Sequence, residues 1–405
     1  MPMRLIDGFA TTSALSEIFS DASILRAMLR FETALAAAQA RLKMIPPGAA
    51  AAIAGIQSIA ADSLAEDARA SATLAVPFVK TLAGRVREID PQAADFVHWG
   101  ATSQDLLDTA LILQLREARE ILSAGHARLS RDLRDLSDRH ANTVMLARTL
   151  LQPAPPITFG YKAAAWFGAV ERSWQRVSTA FDESIQIQFG GAAGTLASYF
   201  DRGPELAREL AQELHLPDPP APWHAHRDRL ASLVAQCGIY SGALAKIARD
   251  IALLMQPEIG ELSEPGGESS AMPNKRNPSG CVVALAAASR VPGLVASFLS
   301  TLPQEHERAA GGWQSEWPTI AAAIQSTGSA LAAVAETIAH LRIDPARMLA
   351  NIQATHGAVF AEKAAMLSGK NAAREALRKG KLSGEHPEDY LGSAEFFRRR
   401  LLEGK

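Results

Sequence analysis

Apolar residues recur at alternating three- and four-residue steps in four separated stretches of the chain, the spacing of one face of a helix. The first stripe reads Ala163, Phe167, Val170, Trp174, Val177, Phe181. The second, Leu230, Leu233, Cys237, Tyr240, Leu244, Ile247, Ile251, Leu254, would be about 37 Å long at a rise of ~1.5 Å per residue. The third runs Ile320, Ile324, Thr327, Leu331, Val334, Ile338, Leu341. A looser fourth, Leu107, Leu111, Leu115, Ala118, Leu122, follows Thr102-Ser103-Gln104-Asp105, whose hydroxyls and carboxylate have the pattern of a capping box. These stripes predict long helices side by side. Glu/Lys pairs of the kind that flank a two-stranded coiled coil are few, while many alanines permit close approach, so a multi-helix bundle is expected.

Before residue 110 the helical pattern is broken at Pro46-Pro47, Pro77 and Pro91, and after about 345 the chain is short-patterned and basic, with Lys379-Gly380-Lys381. The expected division is an N-terminal helical part over 1–110, a central long-helix part over 111–345 and an abbreviated C-terminal helical part over 346–405. Between the second and third stripes, residues 257–280 read PEIGELSEPGGESSAMPNKRNPSG. A connection of that length is either functional or disordered.

Composition narrows the function. Lys+Arg 41 against Asp+Glu 43 leaves a net charge of -2, without the positive field that nucleic-acid binding requires. Aromatic residues at 6% alongside abundant alanine favour an all-α fold. Cys237 and Cys281 are too few for a disulfide framework and sit in apolar runs, which fits a reducing cytoplasm. The stretch MPMRLIDGFA lacks an apolar run of signal-peptide length, and no uncharged apolar stretch reaches the ~18 residues of a membrane span, so a soluble cytoplasmic protein without membrane partners is expected.

The dinucleotide, P-loop, nucleophile-elbow and zinc motifs are all absent. His224 and His226 have a spacing that could hold a metal on a strand, but no third ligand is suggested. Gly190, Gly191 and Gly194 form either an anion-facing turn or a tight helix-helix turn. His98, just before Thr102, Ser103 and Asp105, sits where a helix N-terminus favours an anion; it is either functional or an ordinary satisfied histidine. Arg148, Thr149 and Gln152 lie at an expected proline-terminated helix break, either as a carboxylate site or as that break alone. Ser269, Ser270, Lys275, Arg276 and Asn277 put many donors on a glycine-flexible backbone, a set suited to a carboxylate becoming an enediolate.

SSAMPNKRNP at 269–278 resembles the signature loop of the fumarase/aspartase superfamily, GSSxMPxKxNP. VHWGATSQDLLDTALILQLR at 97–116 is similar to its first signature region, and ARTLLQPAPPITFGYKAAAW with QFGGAAGTLAS to its second. PWHAHRDRL, HERAAGGWQSEW and YLGSAEFF resemble the branch that closes lactones on carboxylated muconates. Where nucleotide-handling lyases carry phosphate-binding serines and an arginine, this chain has Ala309, Ala310, Gly311, Gly312 and Trp313. The resemblance implies a homotetramer with a central helical bundle, sites built from three subunits, a small polycarboxylate substrate and no cofactor. It implies a cycloisomerase of protocatechuate breakdown, with a fumarate-eliminating lyase or a scaffold that lost its chemistry as alternatives. By the same resemblance, Ser269 carries a proton, Lys275 and Asn277 hold the substrate carboxylate and its enediolate, and His98 joins them. Thr102, Ser103, Arg148, Thr149, Gln152, Ser270, Met272 and Arg276 bind substrate. Three positions depart from the superfamily pattern: Leu150 stands where the lyases have a histidine, Asn274 replaces another, and Glu268 replaces a glycine.

Overall fold

Every apolar stripe lies on a helix, except that Leu341, the last position of the third, falls one residue past the helix end. In chain order the main helices are α1 (Asp21–Arg41), α2 (Ser103–Arg139), α3 (Phe159–Ser184), α4 (Asp228–Leu254), α5 (Ser279–Leu299) and α6 (Gly312–His340). The α4 stripe is buried from Leu230 to Leu254, and so are Ile320, Ile324, Thr327, Leu331, Val334 and Ile338 of α6. Each buried leucine or isoleucine contributes roughly 1.5–3 kcal/mol, so the stripes are what hold these helices in place. The computed structural model describes residues 5–61, 64–267, 272, 275–379, 382 and 386–404.

Two compact units make up the chain, one of residues 1–123, 176–238 and 290–328, the other of 124–175, 239–289 and 329–405. Each of α2 to α6 starts in one unit and ends in the other. In the first unit α1, capped by Ser20 accepting from the Ser23 N–H at 3.2 Å, packs against helices 47–54 and 203–214. In the second, β1 (Val144–Thr149) and β2 (Gln152–Thr158) form an antiparallel hairpin that pairs Thr149 with Gln152. Leu146 packs there with Ile352, Val359 and Phe360, Ile352 being on α7 (Pro345–Gln353).

The hairpin corrects the expected helix break at Arg148. Pro153, Pro155 and Pro156 cannot continue a helix, yet they are tolerated in a two-stranded ribbon, where one edge of each strand needs no donor. The C-terminal part carries helices at 345–353, 361–368, 370–378 and 394–403. Helix α5 had no stripe to reveal it, because its alanines and valines are apolar on all sides. By length and hydropathy α4 and α5 would pass for membrane spans, although charges interrupt both, Lys246 and Arg249 in α4 and Arg290 in α5; only 28% of the α5 window is buried.

Candidate active site

In the first unit, His98 occupies a turn that α1 holds from below. Its main-chain N–H donates to Glu32 Oε2 at 3.1 Å, and its ring Nδ1 lies 2.5 Å from Glu32 Oε1. One helical face further on, Gln39 Nε2 donates to the Trp99 carbonyl at 2.8 Å, which also accepts from the Tyr199 hydroxyl at 2.5 Å. Gly100 has φ +76, and a Cβ there would stand 2.4 Å from the Tyr199 ring, so glycine is required. Burial alone would push His98 down, but the Glu32 charge and hydrogen bond, with a smaller contribution from Asp105, outweigh it and leave the imidazole above its ordinary value.

Asp105, on the first turn of α2, is the centre of a buried network. Its carboxylate accepts from the N–H groups of Gly190 and Gly191 at 2.9 Å each and of Thr102 at 3.1 Å, and His224 Nε2 lies 2.8 Å away. Of the two readings left open for the glycine turn, the amides of Gly190 and Gly191 do face an anion, and it is the protein's own Asp105 carboxylate. The Thr102 contact is the back-bonding half of the expected capping box, while the Thr102 hydroxyl accepts from Arg308 at 2.8 Å. Arg308 also donates to the carbonyls of Gly191 and Ala192. Below them Arg227, fully buried, is bidentate on Asp108 and reaches Glu316, with Trp313 donating to the same Asp108. Removing one partner from such a cluster leaves an uncompensated buried charge, at about 3–5 kcal/mol.

The second unit holds Arg148, Thr149 and Gln152 at the end of the hairpin. Arg148 forks onto the buried carboxylate of Glu261 at 2.6 and 3.0 Å, and Asn351 donates to that carboxylate at 2.8 Å. This bidentate pair anchors the hairpin to the first part of the 257–280 connection, where Glu261 lies. Between the strands and α7 lies a cleft of about 750 Å³ lined by Arg148, Leu151, Gln152, Asn351, Thr355 and Glu362, among others. At the tip, Leu150 and Leu151 have φ 51 and 63 and are 96% and 75% exposed.

The connection carries Met272, Lys275 and Arg276 exposed, with Asn277 half-buried. The Asn277 N–H donates to the Gly267 carbonyl at 2.8 Å; Gly267 has φ +66, and a Cβ would come within 2.0 Å of the Asn277 oxygen. The loop's exit is thus shaped by backbone pairing that only glycine permits. Ser269 and Ser270, with Glu268 and Asn274, lie outside the described residues. The family model described as "Lyase" matches residues 9–293.

The chain belongs to that lyase family. Its fold is the all-α fumarase/aspartase fold. The chain is 44% identical over 367 residues to a 3-carboxy-cis,cis-muconate cycloisomerase of Bradyrhizobium diazoefficiens, covering 88% of this chain and 81% of that protein. It is also 39% identical to a nitrosuccinate lyase of Streptomyces davaonensis, over 88% of this chain and 79% of that one. Among solved structures, the 3-carboxy-cis,cis-muconate lactonizing enzyme of Pseudomonas putida superposes with a TM-score of 0.92 at 36% identity, covering 99% and 98% of the two chains.

Sequence reasoning missed several groups that organise this member of the lyase family. Glu32, Gln39 and Glu261 lie outside every quoted motif, while Asp108 and Glu316 lie within the 97–116 and HERAAGGWQSEW segments without having been singled out, and each of the five finds its partner on another part of the chain. A buried acid within an apolar helix face was the one signal available for Glu32. Among the described residues no cluster of His, Cys, Asp or Glu has metal-holding geometry. His224 faces Asp105 instead. The two cysteine thiols are pushed up to about 12, mainly by burial.

Proposed function

We propose that this lyase-family chain is a 3-carboxy-cis,cis-muconate cycloisomerase that forms 4-carboxymuconolactone. The single observation that carries the reading is its likeness to the Bradyrhizobium enzyme of that name across most of both chains. The reaction is an isomerisation without a co-reactant. A substrate carboxylate oxygen forms a bond to one alkene carbon, the alkene electron pair passes to the neighbouring carbon and its carboxylate as an enediolate, and that carbon then takes a proton. Lys275 and Asn277 would meet the enediolate charge, Ser269 and His98 would serve the proton, and Thr102, Ser103, Thr149, Gln152, Ser270, Met272 and Arg276 would frame the substrate. Arg148, already paired with Glu261, would bind substrate through the strand end it fixes.

The largely exposed apolar face of α5 supports a homotetramer with a shared helical bundle, in which the 111–345 part forms the core and sites combine several subunits. A cytoplasmic location goes with the free, buried cysteines. Purified protein given 3-carboxy-cis,cis-muconate should remove the conjugated-diene absorbance and yield one lactone by NMR. Absence of turnover would reject the assignment. The 39% identity to nitrosuccinate lyase supports a second reading, elimination from a substituted succinate, which fumarate release would identify.

A further inference from the structure

Glu32 is a carboxylate where a helix has no ordinary use for one. It lies on the buried face of α1 with Met28, Phe31 and Leu35, and is itself 2% exposed. Both of its oxygens are spent on one residue, Oε2 on the His98 main-chain N–H and Oε1 on the His98 ring. His98 has φ 57, a left-handed backbone that costs a non-glycine residue about 1–3 kcal/mol unless its surroundings hold it. Gln39, seven residues along the same face and also buried, holds the next carbonyl. The face of α1 is thus a platform for the 98–100 turn. Satisfying the backbone requires only an acceptor at position 32, yet the chain supplies a full charge directed at the imidazole, at the desolvation cost that a buried carboxylate carries.

We propose that Glu32 is a positioning residue for His98: its buried carboxylate accepts the Nδ1 proton and the main-chain N–H together, fixing the ring so that Nε2 is the nitrogen left to carry a proton to substrate. The proposal rests on His98 belonging to the active site of the function above. Asp105 on α2 adds a second negative charge near the ring, but its carboxylate is occupied by Thr102, Gly190, Gly191 and His224. Arg308 is bound to Thr102 and the Gly191 carbonyl, and Tyr199, raised by burial, stays neutral and spends its hydroxyl on Trp99. Glu32 is therefore the one buried acid in direct contact with the ring among the described residues. The arrangement is that of a carboxylate orienting an imidazole for proton transfer.

Glu32→Gln separates this role from a structural one, because the amide oxygen still accepts from the His98 N–H while the charge disappears. Its NH₂ then faces Nδ1 and favours the opposite tautomer. The pH midpoint of His98 carbethoxylation by diethyl pyrocarbonate, read on the His98 peptide by mass spectrometry, is expected to fall by about one unit or more relative to wild type. In the lactonisation assay E32Q should lose ~10-fold or more in kcat with its circular dichroism unchanged, and should lose less than about twofold further when placed on His98→Gln. An unshifted carbethoxylation midpoint overturns the proposal, and so does an equal E32Q loss in the H98Q background. If wild type proved unable to cyclise the muconate, the function would fall while the carbethoxylation arm still decided the Glu32–His98 relation.

Discussion

His98 brings strain, burial and charge to one residue, and its titration couples to folding. Burial works against the cation and Glu32 overcomes it, so the folded-state value is raised above that of the unfolded chain. The stabilisation is therefore fully present below about pH 6.5 and is lost as pH rises through the folded value. Urea denaturation of wild type and His98→Gln should show their largest gap near pH 5.5 and a smaller one near pH 9; a gap that widens with pH would contradict the ion pair. The proposed loop chemistry is tested at the same scale. Ser269→Ala should lower kcat by ~10² or more with the assembly intact. Lys275→Met should cost roughly 3 kcal/mol in kcat/KM, through kcat and not KM alone, because an enediolate contact acts on the transition state.

Among the elements, the hairpin is the least ordinary. A two-residue turn with positive φ at both positions is the natural place for Asn-Gly, and here it holds two leucines, both largely exposed. Leucine resists that backbone through its Cβ and leaves apolar surface in water. Such a tip makes sense against another molecule, in keeping with the proposed tetramer. Leu150→Asn with Leu151→Gly should slow amide exchange in the hairpin by relieving strain, and should lower kcat/KM about tenfold or more by removing the apolar contact. Unchanged activity would assign the leucines no contact in the assembly. This element also shows where reading from sequence stopped. The long helices were legible because period 3.5 persisted over many turns, whereas β1 and β2 are short, carry three prolines and contain a bulge at Leu146/Ala147 that breaks alternation. The signature loop and the 97–116 region were legible as motifs. Their supports were not, since Glu32 and Glu261 act through contacts between elements that no local pattern records.

At the scale of the whole molecule, the exposed apolar faces are the next thing to test. Val282 on α5 is 55% exposed and Ile239 on α4 is 50% exposed. Sedimentation of wild type should give a tetramer, and Val282→Glu should shift it to smaller species, because one charge in an apolar helix interface carries a desolvation cost of several kcal/mol. A wild-type monomer at micromolar concentration would reject the shared bundle.

The five helices that pass through both units also decide what kinds of sequence change the protein can survive. An α-helix turns by about 100° per residue. One residue inserted after Gly242 in α4 would therefore swing Leu244, Ile247, Ile251 and Leu254, all buried, away from the core of the second unit, while Leu230 and Leu233 kept their places in the first. Substitutions along α2 to α6 are absorbed one side chain at a time, but a change of length is felt all the way to the helix end. Descent with insertions and deletions is thus confined to the connections, and neither unit can be lifted out as a module, since every boundary between them runs through the middle of a helix.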